Sequence, residues 1–313
     1  MDDRLISICI PAYKRTEFLK RLLDSIAIQT FSDFEVIVTD DSPGNDVENL
    51  CTIYQDKFSI FYYRNIQQLG TPENWNESIR KAKGQWIKLM HDDDWFSNEN
   101  SLECYVDAIK NNPDCSFFFS AYRNIYLDEK KEEPVFINSF RYKMLRKNPV
   151  TVFAKNVIGP PSVVIHKNDR KIFYDKNFKW LVDIEFYIRY LKNFKPRYID
   201  KELINVGLGS LQVTQQVFRV QQVEVPENFF LLDKIGAEQL KNIFVYDGYW
   251  RFLRNLDVKN LNIIADNGYL NDPPAVIKKM IAFQNKLPAW CLKTGVFSKF
   301  FMLISFISYF RKI

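Results

Sequence analysis

The chain has 313 residues, a mass of 37.2 kDa and a formal net charge of +5. This length can bury a full hydrophobic core, and it favours one large α/β domain with an appendage over several small domains. The positive charge is modest and spread along the chain, which argues against nucleic-acid binding and fits a phosphate-bearing substrate or an anionic membrane surface better.

Aromatic content, cysteine pattern and hydropathy indicate the kind of site and the cellular location to expect. Aromatic residues make up 16% of the chain, which is typical of a core with a stacking site for a sugar or a base. The five cysteines never form a CxxC pair and mostly lie in apolar strings, so we expect core thiols in a reducing compartment. Met1–Leu5 is charged, and no apolar run reaches the ~20 residues of a membrane span. The expected location is the cytoplasm or the cytosolic face of a membrane.

The first third of the chain is predicted to alternate strands and helices. Thr16 is expected to cap the first helix, and Thr71 the second, with Pro72 as its first residue. This order predicts a parallel sheet with helices on both faces. The predicted strands are Leu5–Ile10, Phe34–Thr39, Ser59–Tyr63 and Gln85–Met90, and a further helix is predicted over Ser97–Lys110.

Carboxylates follow two of these strands. Asp92, Asp93 and Asp94 end the fourth strand, and Asp41 follows the second. The carboxyl ends of parallel strands meet at one edge of a sheet, so we expect a ligand site there. Three adjacent acids repel one another, and a divalent cation, an arginine or water must share their charge. The alternative is a solvated acidic turn that caps the next helix.

The sequence argues against several other kinds of site. The turn after the first strand reads PAYKR, so the GxGxxG signature of dinucleotide binding is missing there, and the sequence has no GxxxxGK[ST] phosphate loop. His91 and His166 are the only histidines, which leaves little material for a zinc site or a Ser/His/Asp triad. His166 lies alone on an apolar strand and is expected to be structural.

Taken together, these motifs resemble the family 2 glycosyltransferases, which are inverting enzymes with the GT-A fold. The resemblance runs over about residues 5–215 and rests on the ordered segments LISICIPAYKR, QTFSDFEVIVTDDSPG, LGTPENWNESIRKAKGQWIKLMHDDDWF and WLVDIEFYIRY. It implies an α/β fold with a Rossmann-like, mixed and mostly parallel sheet flanked by helices. The expected organisation is a glycosyltransferase domain over 1–220, with a nucleotide-sugar half to about 112 and an acceptor half from about 113, followed by a helical region over 221–313.

The resemblance also implies roles for single residues. Tyr13 would pack on the base, Asp41 would bind the uracil, Asp92 would contact the ribose or diphosphate, and Asp93 would bind Mn²⁺ or Mg²⁺. The remaining residues expected to bind the nucleotide sugar are Pro11, Arg15, Glu17 and Asn76. Alternatively, Tyr13 and Asp41 are ordinary turn residues, and Asn74 and Asn76 are polar residues on a helix surface.

The chain departs from the family pattern at two positions. His91 stands at the first position of the common D-x-D-D motif, which affects the expected ribose contacts. Trp75 stands where many members have an arginine, so a phosphate contact is either missing or supplied by Arg15 or Arg80.

The acceptor side is expected over 114–215, with strands at Cys115–Tyr122 and within Ile158–His166 and a helix at Trp180–Leu191. Apolar neighbours around Asp183 should raise its pKa and suit a general base. In the family the base is the aspartate of a D-x-[DE]-x-x-x-R segment, which aligns with Asp183, and Glu185 is the fallback. The alternatives are a helix N-terminal acid and a surface pair between Glu185 and Arg189.

Two segments near the end of the chain have separate interpretations. Gln216–Val220 resembles the Q-x-x-R-W motif of processive synthases, but Val220 replaces the tryptophan, so we expect single additions or simply a polar helix start. Pro226–Leu256 and Asn271–Lys286 are predicted to be helical. The apolar tail Val296–Ile313 is too short to span a bilayer, so it packs on the domain or a partner, or it dips into a membrane surface.

The favoured hypothesis is a metal-assisted inverting glycosyltransferase. It would move a hexose or N-acetylhexosamine from a UDP-sugar to a hydroxyl of a cell-surface glycan or lipid-linked precursor. The alternatives are a sugar-phosphate nucleotidyltransferase, which calls for a Gly-rich, Arg-containing loop after the first strand, and a non-catalytic sugar-nucleotide or glycan-binding protein.

Overall fold

The computed structural model describes residues 5–209 and 218–310. Within these residues nine strands form one sheet with the order β3-β2-β1-β4-β8-β6-β9-β5, and β7 pairs with β6. The strands are β1 (Ile6–Ala12), β2 (Phe34–Asp40), β3 (Ile60–Arg64), β4 (Trp86–Leu89), β5 (Trp95–Phe96), β6 (Phe117–Tyr126), β7 (Lys131–Val135), β8 (Val164–Lys167) and β9 (Pro196–Leu208).

Helices flank this sheet and continue beyond it. They are α1 (Thr16–Ala27), α2 (Asp46–Ile53), α3 (Glu73–Lys81), α4 (Ser101–Asn111), α5 (Ser139–Lys147), α6 (Thr151–Ala154), α7 (Val182–Leu191), α8 (Gln221–Ile235), α9 (Ile243–Asn255), α10 (Leu261–Asp266), α11 (Ala275–Gln284), α12 (Ala289–Lys293) and α13 (Gly295–Phe310). Short 3-10 turns lie at Pro161–Val163 and Ala237–Lys241.

The first half of the sheet is parallel. β1 lies between β2 and β4, and β2 also pairs with β3, all in the same direction. Every residue of β2 is buried, as its apolar, β-branched sequence FEVIVTD predicts for a strand covered on both faces. The carboxyl ends of β1, β2 and β4 therefore meet at one edge, which is where the predicted site residues follow.

The second half of the sheet is mixed. β8 is antiparallel to both β4 and β6, while β9 runs parallel to β6 and antiparallel to β5. β9 is the longest of these strands, with 13 residues, and the sequence did not predict it. Its segment PRYIDKELINVGL carries four charges and is only partly buried, so it lacks the apolar run that marks a central strand.

Several predicted element ends are wrong by a few residues for local reasons. Arg15, not Thr16, is the N-cap of α1, and it makes no side-chain capping bond. Pro72 precedes α3 instead of starting it, and the Thr71–Pro72 peptide is cis. The helix expected from Ser97 begins at Ser101, because Trp95–Phe96 pairs with β9 as β5.

The hydrophobic core is continuous from the sheet into the C-terminal helices. One cluster of buried side chains includes Ile8 of β1, Phe186 of α7, Trp250 of α9 and Met302 of α13. The boundary expected at residue 220 stays a prediction, and packing does not stop there. The helix predicted over Pro226–Leu256 is two helices, α8 and α9. Of the Gln216–Val220 motif, Gln216 and Val217 lie outside the described residues.

The apolar tail forms α13, up to Phe310, and its last three residues lie outside the described part of the chain. The face with Met302 packs in the core, as one of the sequence hypotheses expected. Among the helices described, none has the length and apolar character needed to cross a bilayer.

Candidate functional site

The acid cluster Asp92–Asp94 follows β4 and is buried. The exposed fractions of Asp92, Asp93 and Asp94 are 3%, 8% and 2%. Arg15, which follows the neighbouring strand β1, pairs with Asp92 through both Nε and Nη2, and its Nη1 donates to Asp93 Oδ2 at 3.2 Å. The cluster is therefore no solvated turn, and an arginine, one of the three partners that the sequence left open, shares part of its charge.

One arginine does not neutralise three carboxylates. Burial raises the pKa of Asp92 to about 7 against the lowering effect of Arg15, and the charge of Asp93 raises it further. Burial also raises the pKa of Asp94 well above its usual value, although Gly207 N donates to it at 3.1 Å. Lys88 is close enough to act on Asp94, but burial lowers the lysine pKa well below its usual range. A further cation would relieve this cluster.

The residues around this cluster fit a divalent metal ion. His91, Asp93 and Asp94 each offer a ligand atom, and these atoms lie within 4.8 Å of one another. Burial lowers the pKa of His91 to about 4, so its ring is neutral, which is the form that binds metals. The His91 Nε2 atom is buried without a hydrogen-bond partner among the described residues. Sequence reasoning named Asp93 alone and took His91 only as a departure from the family motif.

The nucleotide side of the predicted site is built from the ends of β1 and β2. Tyr13 is 40% exposed directly after β1, Pro11 is half-buried in β1, and Glu17 is exposed in the first turn of α1. Asp41 is buried and accepts hydrogen bonds from Asn65 Nδ2 at 2.7 Å and from two backbone N–H groups of the following loop. Asp41 thus orders the loop over 65–70 at the sheet edge that also holds Tyr13.

Asn76, another residue expected to contact the nucleotide sugar, is engaged within the protein. Its side-chain oxygen accepts from Tyr174 N, and its Nδ2 donates to Tyr174 O, both at 2.8 Å. Nδ2 also contacts Glu73 Oε2 at 3.1 Å. With 2% exposure, Asn76 holds the loop that leads toward α7.

The position expected to supply a phosphate contact carries Trp75, whose ring packs on two others. Its centroid lies 4.6 Å from that of His91 and 5.2 Å from that of Tyr174. Of the two arginines proposed to replace the missing contact, Arg80 pairs with Glu73 and Glu77 of its own helix. Arg15 is the one that lies beside the acid cluster.

Asp183 lies in the first turn of α7 and is half-buried. Its Oδ1 accepts from Ile184 N at 2.8 Å, and its Oδ2 accepts from Asn156 Nδ2 at 2.9 Å. Burial raises the pKa of Asp183 to about 6, and these hydrogen bonds oppose the rise. A carboxylate with this proton affinity suits general-base catalysis near neutral pH.

The fallback residue Glu185 is in a different situation. It is 2% exposed, its two oxygens accept from Arg189 at 2.8 Å, and Lys234 Nζ of α8 lies 2.7 Å from Oε1. The expected pair with Arg189 exists, but it is buried and includes a second cation. Glu185 is therefore a structural ion-pair residue, and Asp183 is the better candidate base.

Two residues that the sequence did not indicate lie between the acid cluster and Asp183 or hold the helix that carries Asp183. Tyr122 lies on β6, and after burial the carboxylates of Asp94 and Asp183 contribute most to raising its pKa to about 12. Both acids are therefore close to the same phenol. Glu227 of α8 accepts from the backbone N–H groups of residues 179–181, at 2.7, 2.9 and 2.8 Å, and so fixes the start of α7. The partners of both residues are distant in sequence, so no local sequence pattern indicated their roles.

Known proteins resemble this chain in sequence and in fold. The family described as Glycosyl transferase family 2 matches residues 7–206. An uncharacterized glycosyltransferase of Methanocaldococcus jannaschii is 28% identical over 261 residues, which cover 80% of this chain and 81% of that protein.

Solved structures with the same fold include two complexes with nucleotide sugars. Staphylococcus aureus TarS 1-349 in complex with UDP-GlcNAc has a TM-score of 0.56 at 16% identity, covering 90% of this chain and 91% of TarS. The mannosyltransferase PcManGT of Pyrobaculum calidifontis, in complex with GDP-Man and Mn²⁺, has a TM-score of 0.57 at 12% identity, covering 96% and 86%. The GT-A-like fold expected from the sequence is confirmed, and so is the family: this chain belongs to glycosyl transferase family 2.

Proposed function

We propose that this protein is an inverting glycosyltransferase that moves a hexose or N-acetylhexosamine from a UDP-sugar to a hydroxyl of a cell-surface glycan or lipid-linked precursor. One observation carries the proposal. Asp92 and Asp93 are paired with Arg15, Asp183 is hydrogen-bonded to the neutral amide of Asn156, and Tyr122 lies close to both Asp94 and Asp183. The complexes of TarS with UDP-GlcNAc and of PcManGT with GDP-Man support a nucleotide-sugar donor.

The donor side is suited to a nucleoside diphosphate. The exposed ring of Tyr13 offers a stacking surface for a base, and Asp41 lies at the same sheet edge. The guanidinium of Arg15 can bind phosphate oxygens in the bidentate geometry that it now uses with Asp92. A Mn²⁺ or Mg²⁺ ion held by His91, Asp93 and Asp94 would neutralise charge on the diphosphate leaving group.

Asp183 is the proposed general base. Its carboxylate accepts the proton of the acceptor hydroxyl, while Asn156 and the Ile184 N–H group hold its orientation. Asp92 and Asp93 are unsuited to this step, because both carboxylates are paired with Arg15 and would lie on the side of the diphosphate and the metal ion, away from the attacking hydroxyl. Attack from the side opposite the leaving group inverts the anomeric centre, as a single displacement requires.

The test is Asp183→Asn, which keeps the size of the side chain and removes the proton acceptor. We expect transfer to fall by ~10²–10⁴, the range typical of a lost general base, with unchanged UDP affinity. Asp107→Asn, the same change on the exposed face of α4, is the matched control and should leave both unchanged. Transfer is followed as UDP release from a panel of UDP-sugars, with and without acceptor saccharides.

The pH profile gives a second readout. In the wild type, kcat/KM should fall below pH of about 6, because Asp183 is then protonated. Retained transfer in Asp183→Asn would refute the assignment of the base, and a product with retained anomeric configuration would refute the inverting mechanism. A protein that binds UDP-sugars but never releases UDP would be the non-catalytic alternative.

A further inference from the structure

The polarity of helix α13 is inverted. Its buried positions include two serines: Ser298 Oγ accepts from Trp250 Nε1 at 3.0 Å, and Ser305 Oγ shares a hydrogen bond of 2.7 Å with the Tyr246 hydroxyl. Its exposed positions carry large apolar side chains, with Val296 80% and Phe300 57% exposed. A surface helix of a water-soluble domain shows the opposite pattern, so the outward face of α13 is built to be covered.

The exposed apolar residues form one stripe. Val296, Phe297, Phe300, Leu303 and Ile304 follow helical spacing of one, four, seven and eight positions, which places them on one side of the helix. Trp290 of α12 is 58% exposed, and its ring packs edge-on against Phe297 with a centroid distance of 5.3 Å. We call these six residues the α12–α13 face.

The segment that carries this face is basic. From residue 273 to the end, the sequence contains no Asp or Glu, and its basic residues are Lys278, Lys279, Lys286, Lys293, Lys299, Arg311 and Lys312. The whole chain, in contrast, nearly balances 43 basic against 38 acidic residues. Two of these lysines pair with acids from outside the segment, Lys299 with Asp247 at 3.3 Å and Lys278 with Asp272 at 2.5 Å. An apolar stripe with a tryptophan, on a segment whose own charges are all basic, has the chemistry that binds anionic phospholipid surfaces.

We infer that the α12–α13 face docks the protein onto an anionic phospholipid membrane surface. The apolar stripe enters the boundary between headgroups and acyl chains, and the lysines contact the phosphates. The helix that carries this face is rigidly supported, because α9 packs against α13 through Trp250 and Tyr246. The Arg251 guanidinium, also on α9, donates to Ala154 O, two residues before the Asn156 that binds Asp183. Docking thus anchors the acceptor half of the site.

The experiment is sedimentation of the full chain with vesicles, without any sugar nucleotide, so that its result is independent of the proposed activity. Vesicles of phosphatidylcholine with phosphatidylglycerol should bind the wild type, and pure phosphatidylcholine vesicles should bind it more weakly. Phe297→Ser/Phe300→Ser should weaken partitioning about tenfold or more, since two large apolar side chains lose their burial in lipid. Lys286→Gln/Lys293→Gln should also weaken binding and reduce its dependence on salt.

The matched control is Ile28→Ser/Ile53→Ser, which removes two exposed apolar side chains far from this face in sequence. It should bind vesicles like the wild type, and thermal unfolding should show that all variants are folded. Equal binding to both kinds of vesicle, or to neither, would overturn the proposal. So would a lipid-free dimer that Phe297→Ser/Phe300→Ser converts to a monomer, because a second copy of the chain would then cover the face.

Discussion

The charge balance around Arg15 decides what the acid cluster can bind. Two of its nitrogens donate hydrogen bonds to Asp92 and a third donates to Asp93, so its charge is directed away from Asp94. Asp94 faces the His91 ring instead, with 3.9 Å between His91 Nδ1 and Asp94 Oδ2, and that ring is neutral. Arg15 therefore compensates charge mainly at Asp92, and the side of the cluster formed by His91, Asp93 and Asp94 receives less of its charge.

This asymmetry predicts different effects for two neighbouring substitutions. Asp93→Asn should remove the gain in UDP affinity that Mn²⁺ gives, by at least about tenfold, because even outer-shell changes at metal sites cost 10–100-fold. Asp92→Asn breaks the Arg15 pair and should leave the Mn²⁺ effect in place. Calorimetric titration of UDP with and without Mn²⁺ measures both. An equal Mn²⁺ effect in Asp93→Asn and the wild type would show that Asp93 is not a ligand.

The surroundings of a site residue could be predicted where its neighbours are close in sequence, and not where its partners are far away in sequence. The acid cluster could be predicted because its three carboxylates directly follow an apolar strand, and Asp183 because its apolar neighbours lie within one helix. Asn76 looked like a ligand-binding or surface residue, since its partner Tyr174 is 98 residues away. Nothing in the sequence indicated Tyr122, because the two carboxylates that raise its pKa, Asp94 and Asp183, belong to other elements.

At the scale of elements, the start of α7 depends on α8. The first N–H groups of a helix lack partners within that helix, and here the residues just before α7 donate to Glu227 instead. Burial raises the pKa of Glu227 above its usual value, although the same hydrogen bonds oppose the rise. The segment from α8 onward thus positions the helix that carries Asp183, even though the family match ends at residue 206.

Glu227→Gln tests this positioning role. The amide retains one accepting oxygen but directs N–H groups at backbone N–H donors, so we expect a loss of roughly 1–3 kcal/mol of stability. Because the start of α7 moves, kcat should fall while UDP affinity stays constant. Glu224→Gln, one turn earlier on α8, is the matched control, since Glu224 accepts from Arg219 N and touches no residue of α7 among its described contacts. Equal kcat in both variants would contradict the role.

The long strand β9 shows why the second half of the sheet was harder to predict. Its residues pair with β6 over most of its length and with β5 near its end, so it organises the second half of the sheet, which β8 joins to β4 of the first half. Its charged residues project from a partly covered sheet, and a pattern of this kind predicts a loop. β4 and β2, which are covered throughout, were predicted nearly to the residue.

For the whole molecule, the question is whether α13 is an accessory or part of the core. Its inward side contributes Met302 to the continuous hydrophobic cluster, and its serines satisfy Trp250 and Tyr246, both fully buried. Ser298 also accepts from Arg254 at 2.8 Å. The outward side contacts Trp290 of α12 through Phe297, and its large apolar side chains stay exposed. One helix therefore combines a stabilising face with the proposed membrane-binding face.

Removing the chain after Thr294 should therefore destabilise the protein, whereas changing only the outward face should not. The truncation exposes the core around Met302 and leaves the indole N–H of Trp250 without its acceptor, so we expect a loss of roughly 3–6 kcal/mol. Urea unfolding should show a clearly lower midpoint for the truncation and an unchanged midpoint for Phe297→Ser/Phe300→Ser. If both variants unfolded at the wild-type midpoint, α13 would not belong to the core; if both were equally destabilised, its outward face would be stabilising as well.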